Sequence, residues 1–335
     1  MASNPVTLAE FALTTKDKVL EKIAKNLVRE SKAIGTVPWV SMDVMSVVNK
    51  KWQTLPAGGT RNINEGFSQV KGSTKDESWE PRFYGLDVQI DVQLENVQNA
   101  IESETSLQTK MSLAGLSRDW TYDFAVNTPV VNPKGMYGLQ YLVSNYQNSR
   151  QQVWIDSNAA NTGTALDVTA STANTQKFIN ALHKAMKYVG KDHPGKLYAY
   201  LNESMYLGVS VALRASGLLD TTTDAFGRQF TTFAGMPLID LGTKSDQVTE
   251  CVGITEGTGG ASTSIYIVRW DSSDGAIGVQ KGQMKVYDPL KGAEMESVPA
   301  HLLRIDWGCM IIPRSDYCIA RVGGIQNPAA WTVPA

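Results

Sequence analysis

Residues 103 to 128 read SETSLQTKMSLAGLSRDWTYDFAVNT, and the rest of the chain is organised around this stretch. Thr105 followed by Gln108 has the capping-box form, in which each side chain satisfies a backbone amide of the first turn, so a helix is expected to start there. At about 100° per residue the apolar side chains fall into two stripes. Leu107, Met111, Ala114, Tyr122 and Ala125 line one side, and Leu113, Leu116, Trp120 and Phe124 line nearly the other. A surface helix shows one stripe. This helix is therefore expected to be covered twice, by its own sheet and by a loop or a neighbouring subunit. Gly115 weakens it by only about 1 kcal/mol.

Upstream lies a long polar excursion, residues 53 to 82, flanked by runs that read as strands. Short apolar segments, VPWV and VMSVV, occupy residues 37 to 55 before Pro56 and the Gly58-Gly59 pair break the pattern. The excursion carries Ile63, Phe67, Val70 and Trp79 as its large apolar side chains, too few for a core of its own. An excursion of this length normally means a functional loop or a segment that folds on a partner. Alternation resumes in Phe83 to Leu94, with Leu86, Val88, Ile90, Val92 and Leu94 on one side. Downstream, PVVNPKG at 129 to 135 reads as a turn. The expected order is a projecting hairpin, a long helix and a compact body.

The chain has 335 residues and 42% hydrophobic content, enough for a sizeable core in one large or two domains. Basic residues number 31 and acidic residues 33, so a polycationic nucleic-acid binder is excluded and any such contact must be local. Cys251, Cys309 and Cys318 are too scattered for a disulfide framework or a C-x-x-C metal site and read as buried free thiols. No secretory pattern opens the sequence and no window of 18 uncharged apolar residues occurs, so a non-exported protein without a membrane span is expected.

Residues 7 to 32 give a second helical pattern, opened by Thr7 with Glu10, carrying Val19, Leu20, Ile23 and Leu27 on one face and ended by Gly35 and Pro38. Its other face holds Lys16, Lys18, Lys22, Lys25 and Arg29, either a solvated face or a basic arm beside an anionic partner. Beyond the turn, a short segment MYGLQYLVS leads into a Ser/Thr/Asn/Ala-rich connection. A helix from Thr175 to Gly190 places Phe178, Leu182, Ala185, Met186 and Val189 on one face, with Gly190 as C-cap. A buried-type strand, Leu197 to Leu201, precedes Asn202, which N-caps a helix from Glu203 to Ser216 closed by Gly217. Residues 218 to 263 read as loop-rich, with one strand from Met236 to Gly242 and a flexible glycine run, EGTGG, at 256 to 260. Strands follow at Ser264 to Trp270, Ala276 to Val286, His301 to Pro313 and Tyr317 to Ile325.

Catalytic patterns are scarce. His183, His193 and His301 lack metal-ligand spacing, and no nucleophile elbow, phosphate loop or dinucleotide fingerprint occurs. Asp76, Glu77 and Glu80 cluster in KDESWEPR, residues 75 to 82, and could act as an acid/base pair, but they interleave with Lys75 and Arg82 in a stretch that reads as exposed and structureless. Solvation or salt bridging between subunits is the better reading. Trp79 is either an anchor for another chain or packs on its own body.

The order of elements resembles the HK97-fold major capsid proteins of tailed bacteriophages. The resemblance is carried by the arm pattern at 7 to 32, the excursion at 53 to 82, the helix ending in DFAVNT, PKGMYGL at 133 to 139, KLYAYLNESMYLGVSVALRASG at 196 to 217 and IDWGCMIIPRSDYCIARVGGIQ at 305 to 326. It implies an α+β fold with an N-terminal arm (1–36), a peripheral domain (37–52 and 83–135) with a spine helix at 103–128, and an extended loop (53–82) lying over a neighbouring subunit. Body helices and the start of an axial domain would occupy 136–217, axial loops and strands 218–300, and closing strands and tail 301–335.

The resemblance further implies a homo-oligomer built of pentamers and hexamers, an icosahedral head around double-stranded DNA, assembly in the host cytoplasm, and no cofactor. It implies portal and scaffolding proteins as partners, with a decoration protein as a further candidate. The inter-subunit contact candidates are Arg61, Phe67, Lys71, Lys75, Asp76, Glu77, Trp79, Glu80 and Arg82; the arm lysines and Arg29 are the candidate DNA-facing set. Neither Lys71 nor Lys75 matches a cross-linking motif, so covalent cross-linking is not expected. An encapsulin-like compartment shell is the alternative, and an enzyme using Asp76 or Glu80 a more distant one.

Overall fold

The computed structural model describes residues 30–92, 104–155, 165–168, 170–193, 195–218, 220–223, 229–257, 260–291, 293–295 and 298–327. Most of the helical pattern at 7 to 32, with Lys16, Lys18, Lys22, Lys25 and Arg29, lies outside the described residues. Within them the helix does not run on into Gly35 from upstream. Ser31 adopts extended backbone, its Oγ accepts from the Ile34 amide, and a new short helix, α1 (Lys32–Thr36), starts there with Gly35 inside it. The cap overrides the break expected of glycine.

Strand β1 (Trp39–Ser41) leads to β2 (Val47–Thr54) and β3 (Ser73–Trp79), which pair antiparallel from Val47↔Trp79 to Thr54↔Ser73. The excursion is thus shorter than its sequence suggests, because 73–79 is a strand and not a structureless run. Its composition is poor for a strand. Backbone pairing with β2 and burial of Glu77 and Trp79 override that weak local preference.

Strand β4 (Arg82–Asp91) follows, with Val88 and Ile90 facing inward as the alternation predicts. The central helix α2 spans Glu104–Val126. Thr105 is already helical, so the capping box does not sit at that position. The helix stops two residues before Thr128. There the Asn127 side chain bonds the Met136 carbonyl at 2.6 Å and Pro129 disfavours helical backbone at the residue before it. Full burial of Trp120 and Phe124 and near-full burial of Leu113 and Leu116, at about 2 kcal/mol each, outweighs the cost of Gly115.

The stretch after the turn at 129–135 holds α3 (Leu139–Tyr146), a 3-10 turn and β5 (Gln152–Trp154). Next come α4 (Thr172–Val189), β6 (Lys196–Leu201) and α5 (Glu203–Ala215). Their caps are those read from sequence: Gly190 is left-handed at φ 82°, and Asn202 Oδ1 accepts from the Met205 amide at 2.7 Å. The loop-rich reading of 218 to 263 needs correction. Strands β7 (Asp220–Thr223), β8 (Gln229–Phe233) and β9 (Met236–Asp240) form an antiparallel ribbon. Ala234 and Gly235, both at positive φ, form the tight turn between β8 and β9. The Thr-rich β7 and β8 lack the apolar alternation that would have revealed them.

Strands β10 (Ser262–Trp270), β11 (Ala276–Tyr287), β12 (Ala300–Pro313) and β13 (Ile319–Gln326) complete an eleven-stranded sheet. β4, β12 and β11 form one antiparallel part, with β1 parallel to β11, and β13, β10 and β6 form another, with β9 parallel to β6. Every residue of β10 is buried, and from Ile265 to Trp270 its apolar side chains alternate between two cores. Tyr266, Val268 and Trp270 join the core under α2, with Trp39, Trp120 and Trp307. Ile265 and Ile267 join the core under α4 and α5. A sheet covered on both faces explains why these strands read as unbroken apolar runs.

Candidate assembly surfaces

The hairpin of β2 and β3 buries three polar side chains together with Trp79 against its own body, and exposes two large apolar ones among the charged and hydroxyl side chains of its outward face. Asn49, Lys51 and Glu77 face inward; Val48 and Trp52 face outward, the indole 77% exposed. Lys51 Nζ lies 3.0 Å from Glu77 Oε2 and 3.2 Å from Asp316 Oδ1, and donates to the Tyr146 carbonyl. Asn49 Nδ2 donates to the Pro313 carbonyl at 3.0 Å. Trp79 packs edge-on against Tyr137 and tilted against Tyr146. The root is therefore fixed, and Trp79 and Glu77 belong to this chain's own body, which removes both from the surface set.

Beyond the root, every residue from 55 to 71 is exposed. The tip is internally ordered by a turn at 62–65, in which the Glu65 carboxylate accepts from the Asn62 amide, and by Arg61 stacked on the Phe67 ring. It presents Leu55, Ile63, Phe67 and Val70 to solvent, Ile63 at 91% exposure. Arg61, Phe67 and Lys71 thus lie on the tip and Lys75 and Asp76 on β3. Lys75 also pairs with Glu77, and Asp76 reaches Lys50 across the hairpin at 4.0 Å. Glu80 stands in the link to β4 and Arg82 is the first residue of that strand; both line a cavity of about 210 Å³.

Helix α2 has the two-sided character its sequence indicates, divided along its length. Leu113, Leu116, Trp120 and Phe124 enter the core. On the other side the C-terminal half is covered by a loop of the same chain, with Lys244 over the Tyr122 ring and Ser245 Oγ donating to Asp119. In the N-terminal half Leu107 and Met111 are uncovered, Met111 at 59% exposure.

The end of α2 is tied to β4 through Asp123, whose carboxylate accepts from Tyr84 Oη at 2.8 Å and from Asn132 Nδ2 at 3.3 Å. Burial, opposed by the Tyr84 bond, holds its pKa above the ordinary value, and burial drives the Tyr84 phenol far above its usual range.

No sequence-family model matches the chain and no curated relative is detectable by sequence. Solved structures do match. The holo-SrpI encapsulin complex of Synechococcus elongatus aligns with a TM-score of 0.59 at 14% identity, covering 97% of each chain. The capsid of the native GTA particle gives 0.55 at 12% identity over 89% of each chain. A Mycobacterium phage, Bobi, gives 0.54 at 14% identity over 87% of this chain and 89% of that one.

The chain has the HK97 capsid fold.

The remaining chemistry in this HK97-like chain is local. Asp76 lies on β3, 4.0 Å from Lys50, and Glu80 follows that strand. Among the described residues no cluster of His, Cys, Asp and Glu could hold a metal ion, and no helix is long and apolar enough to cross a membrane. His183 packs against the Phe233 ring. All three cysteines are buried, and burial raises the Cys251 thiol to about 12 and Cys318 to about 11. Glu256, which opens the glycine run, is held by Arg321 at 2.8 Å and by Ser264.

Several of these residues escaped the sequence reading. Nothing in KKW distinguishes the buried Lys51 from the exposed Lys50 except the alternation Val47, Asn49, Lys51, and that signal is invisible until the inward face is known. Tyr84, Asp123 and Arg321 are likewise ordinary residues until the fold brings their partners to them.

Proposed function

We propose that this chain is a shell subunit that assembles through pentamers and hexamers into an icosahedral phage head enclosing double-stranded DNA. The supporting observation is the hairpin: an arm rooted by buried contacts, on a fold shared with shell subunits, leaves Trp52, Leu55, Ile63, Phe67 and Val70 exposed. Ordering such a segment costs about 1–2 kcal/mol per residue in backbone entropy, and burial on a neighbour is what offsets that cost. Repeated head-to-tail contacts of this kind close into rings.

In this reading residues 37–52 and 83–135 form the peripheral domain, 218–300 supply the axial domain, and the tip lies over the next subunit. Arg61, Phe67, Lys71 and Trp52 contact the neighbour, and Leu107 and Met111 on α2 offer it an apolar face. Lys16, Lys18, Lys22, Lys25 and Arg29 face the packaged DNA through salt-sensitive phosphate contacts. A portal and a separate scaffolding protein complete the particle in the host cytoplasm, and the role is structural, not catalytic.

A second reading, a compartment shell holding protein cargo, is favoured by the match to the encapsulin over 97% of both chains. Purified particles treated with nuclease separate the two. Retained double-stranded DNA supports the phage head; particles free of nucleic acid but carrying a foreign protein support the compartment.

A further inference from the structure

Helix α4 (Thr172–Val189) holds three lysines and no acidic residue, in a chain whose acidic residues outnumber its basic ones. Phe178, Leu182, Ala185, Met186 and Val189 are its buried face. At about 100° per residue Lys177 and Lys184 fall about 20° apart on the other side, with Lys187 about 60° further round, and all three are exposed. The fold adds a fourth cation. The 3-10 turn after α3 carries exposed Arg150 to the end of α4, its guanidinium 5.1 Å from the centre of the Tyr188 ring, and Lys184 Nζ lies 5.7 Å from the same ring. Gln151, fully buried, fixes that turn by donating to the Tyr188 carbonyl at 3.0 Å. Among the described residues none of the four cations forms an ion pair. Lys187 suits the negative end of the helix dipole. Arg150 and Lys184, like charges held over one ring with no carboxylate beside them, have no such local reason.

We propose that this face of α4, with Arg150, Lys177, Lys184 and Lys187, binds the phosphate backbone of double-stranded DNA without reading its sequence. This rests on the phage-head reading above and gives the packaged genome a contact on the body of the subunit, apart from the arm. From Lys177 to Lys187 the helix rises about 15 Å. Over that length a duplex presents about one negative charge per 1.7 Å of its axis, enough to engage every cation of the face. Exposed Gln176 and Asn180 lie among the lysines and supply amides of the kind that hydrogen-bond phosphate and sugar. The same face has no exposed large apolar side chain to insert into a lipid surface, which separates it from a membrane-binding helix.

The test is the affinity of the purified full chain for a labelled random-sequence DNA duplex, measured over a series of salt concentrations. Arg150→Gln, Lys177→Gln, Lys184→Gln and Lys187→Gln are combined in one variant, and the arm cations stay in place, so the difference from wild type reads α4 alone. The variant should bind about tenfold more weakly at low salt, and the slope of log affinity against log salt should fall by about 3. Lys184→Gln alone should lower the slope by about 1, which keeps the comparison open if the combined variant folds poorly. Equal affinity and slope in variant and wild type, no salt-sensitive binding by wild type, or tighter wild-type binding to phosphatidylglycerol vesicles than to DNA each overturns the proposal. Electron microscopy of the same two proteins reads the shell separately. Particles from both with equal DNA affinity overturn the α4 contact and leave the shell reading standing. A wild type that forms no particles overturns the shell reading, and binding in solution still decides the α4 contact.

Discussion

Lys51 Nζ lies 3.0 Å from Glu77 Oε2, and both side chains are buried, at 2% and 6% exposure, where the hairpin leaves the body. Removing one member of a buried pair strands the other charge, a loss of about 3–5 kcal/mol, whereas replacing both by apolar groups is often neutral. Lys75, 3.1 Å from Glu77 on its exposed side, compensates in part. Lys51→Met is therefore expected to cost about 3 kcal/mol in urea denaturation, and Lys51→Met with Glu77→Leu to recover most of it. Equal losses in the single and double variants would contradict a pairwise role.

Asp123 gives the fold a specific pH dependence. Its folded pKa is raised above 3.8, chiefly by burial, so its stabilising contribution is complete below that value and is lost as pH rises through the folded pKa. Asp123→Asn, whose amide oxygen still accepts from Tyr84, does not titrate. The variant's thermal midpoint should fall less than wild type as pH is raised from 4 to 7. Parallel pH profiles would remove Asp123 from the account.

Two glycines predict opposite signs. A Cβ at Gly278 would lie 2.4 Å from Val37 Cγ1 and 2.8 Å from Trp39 Cε3, in a filled core, so Gly278→Ala should cost about 1–3 kcal/mol. Gly115 in α2 has nothing within 4 Å of that position, and Gly115→Ala should stabilise by about 0.5–1 kcal/mol. Urea midpoints of the two variants check both.

The elements with strong periodicity and clear caps were legible in the sequence: α4 with its Gly190 stop, α5 with its Asn202 start, and the apolar strands β10 to β13. Strands built from polar residues were not. β3 and β7 have the composition of loops and become strands because a neighbouring backbone pairs with them, which is tertiary information. The two stripes of α2 showed that something must cover both sides. Only the structure shows that Lys244 and Ser245 cover one half and that Met111 is left open. The exposure of Val48 and Trp52 was hidden for a similar reason, since both look like core residues until Lys51 is found on the inside.

Because β3 is anchored by Glu77 and Trp79, the dispensable part of the hairpin is its tip. Replacing residues 57 to 71 by a short turn should leave the melting temperature of the subunit unchanged within error and abolish stable particles, as read by thermal denaturation and sedimentation velocity. Particles of normal stability from this variant would show that the tip is not an assembly element.

The most direct test of the central claim is negative-stain electron microscopy of the purified wild-type chain, expressed alone and together with a scaffolding protein. The account predicts closed icosahedral particles or pentameric and hexameric rings. Monodisperse single subunits under both conditions would contradict it.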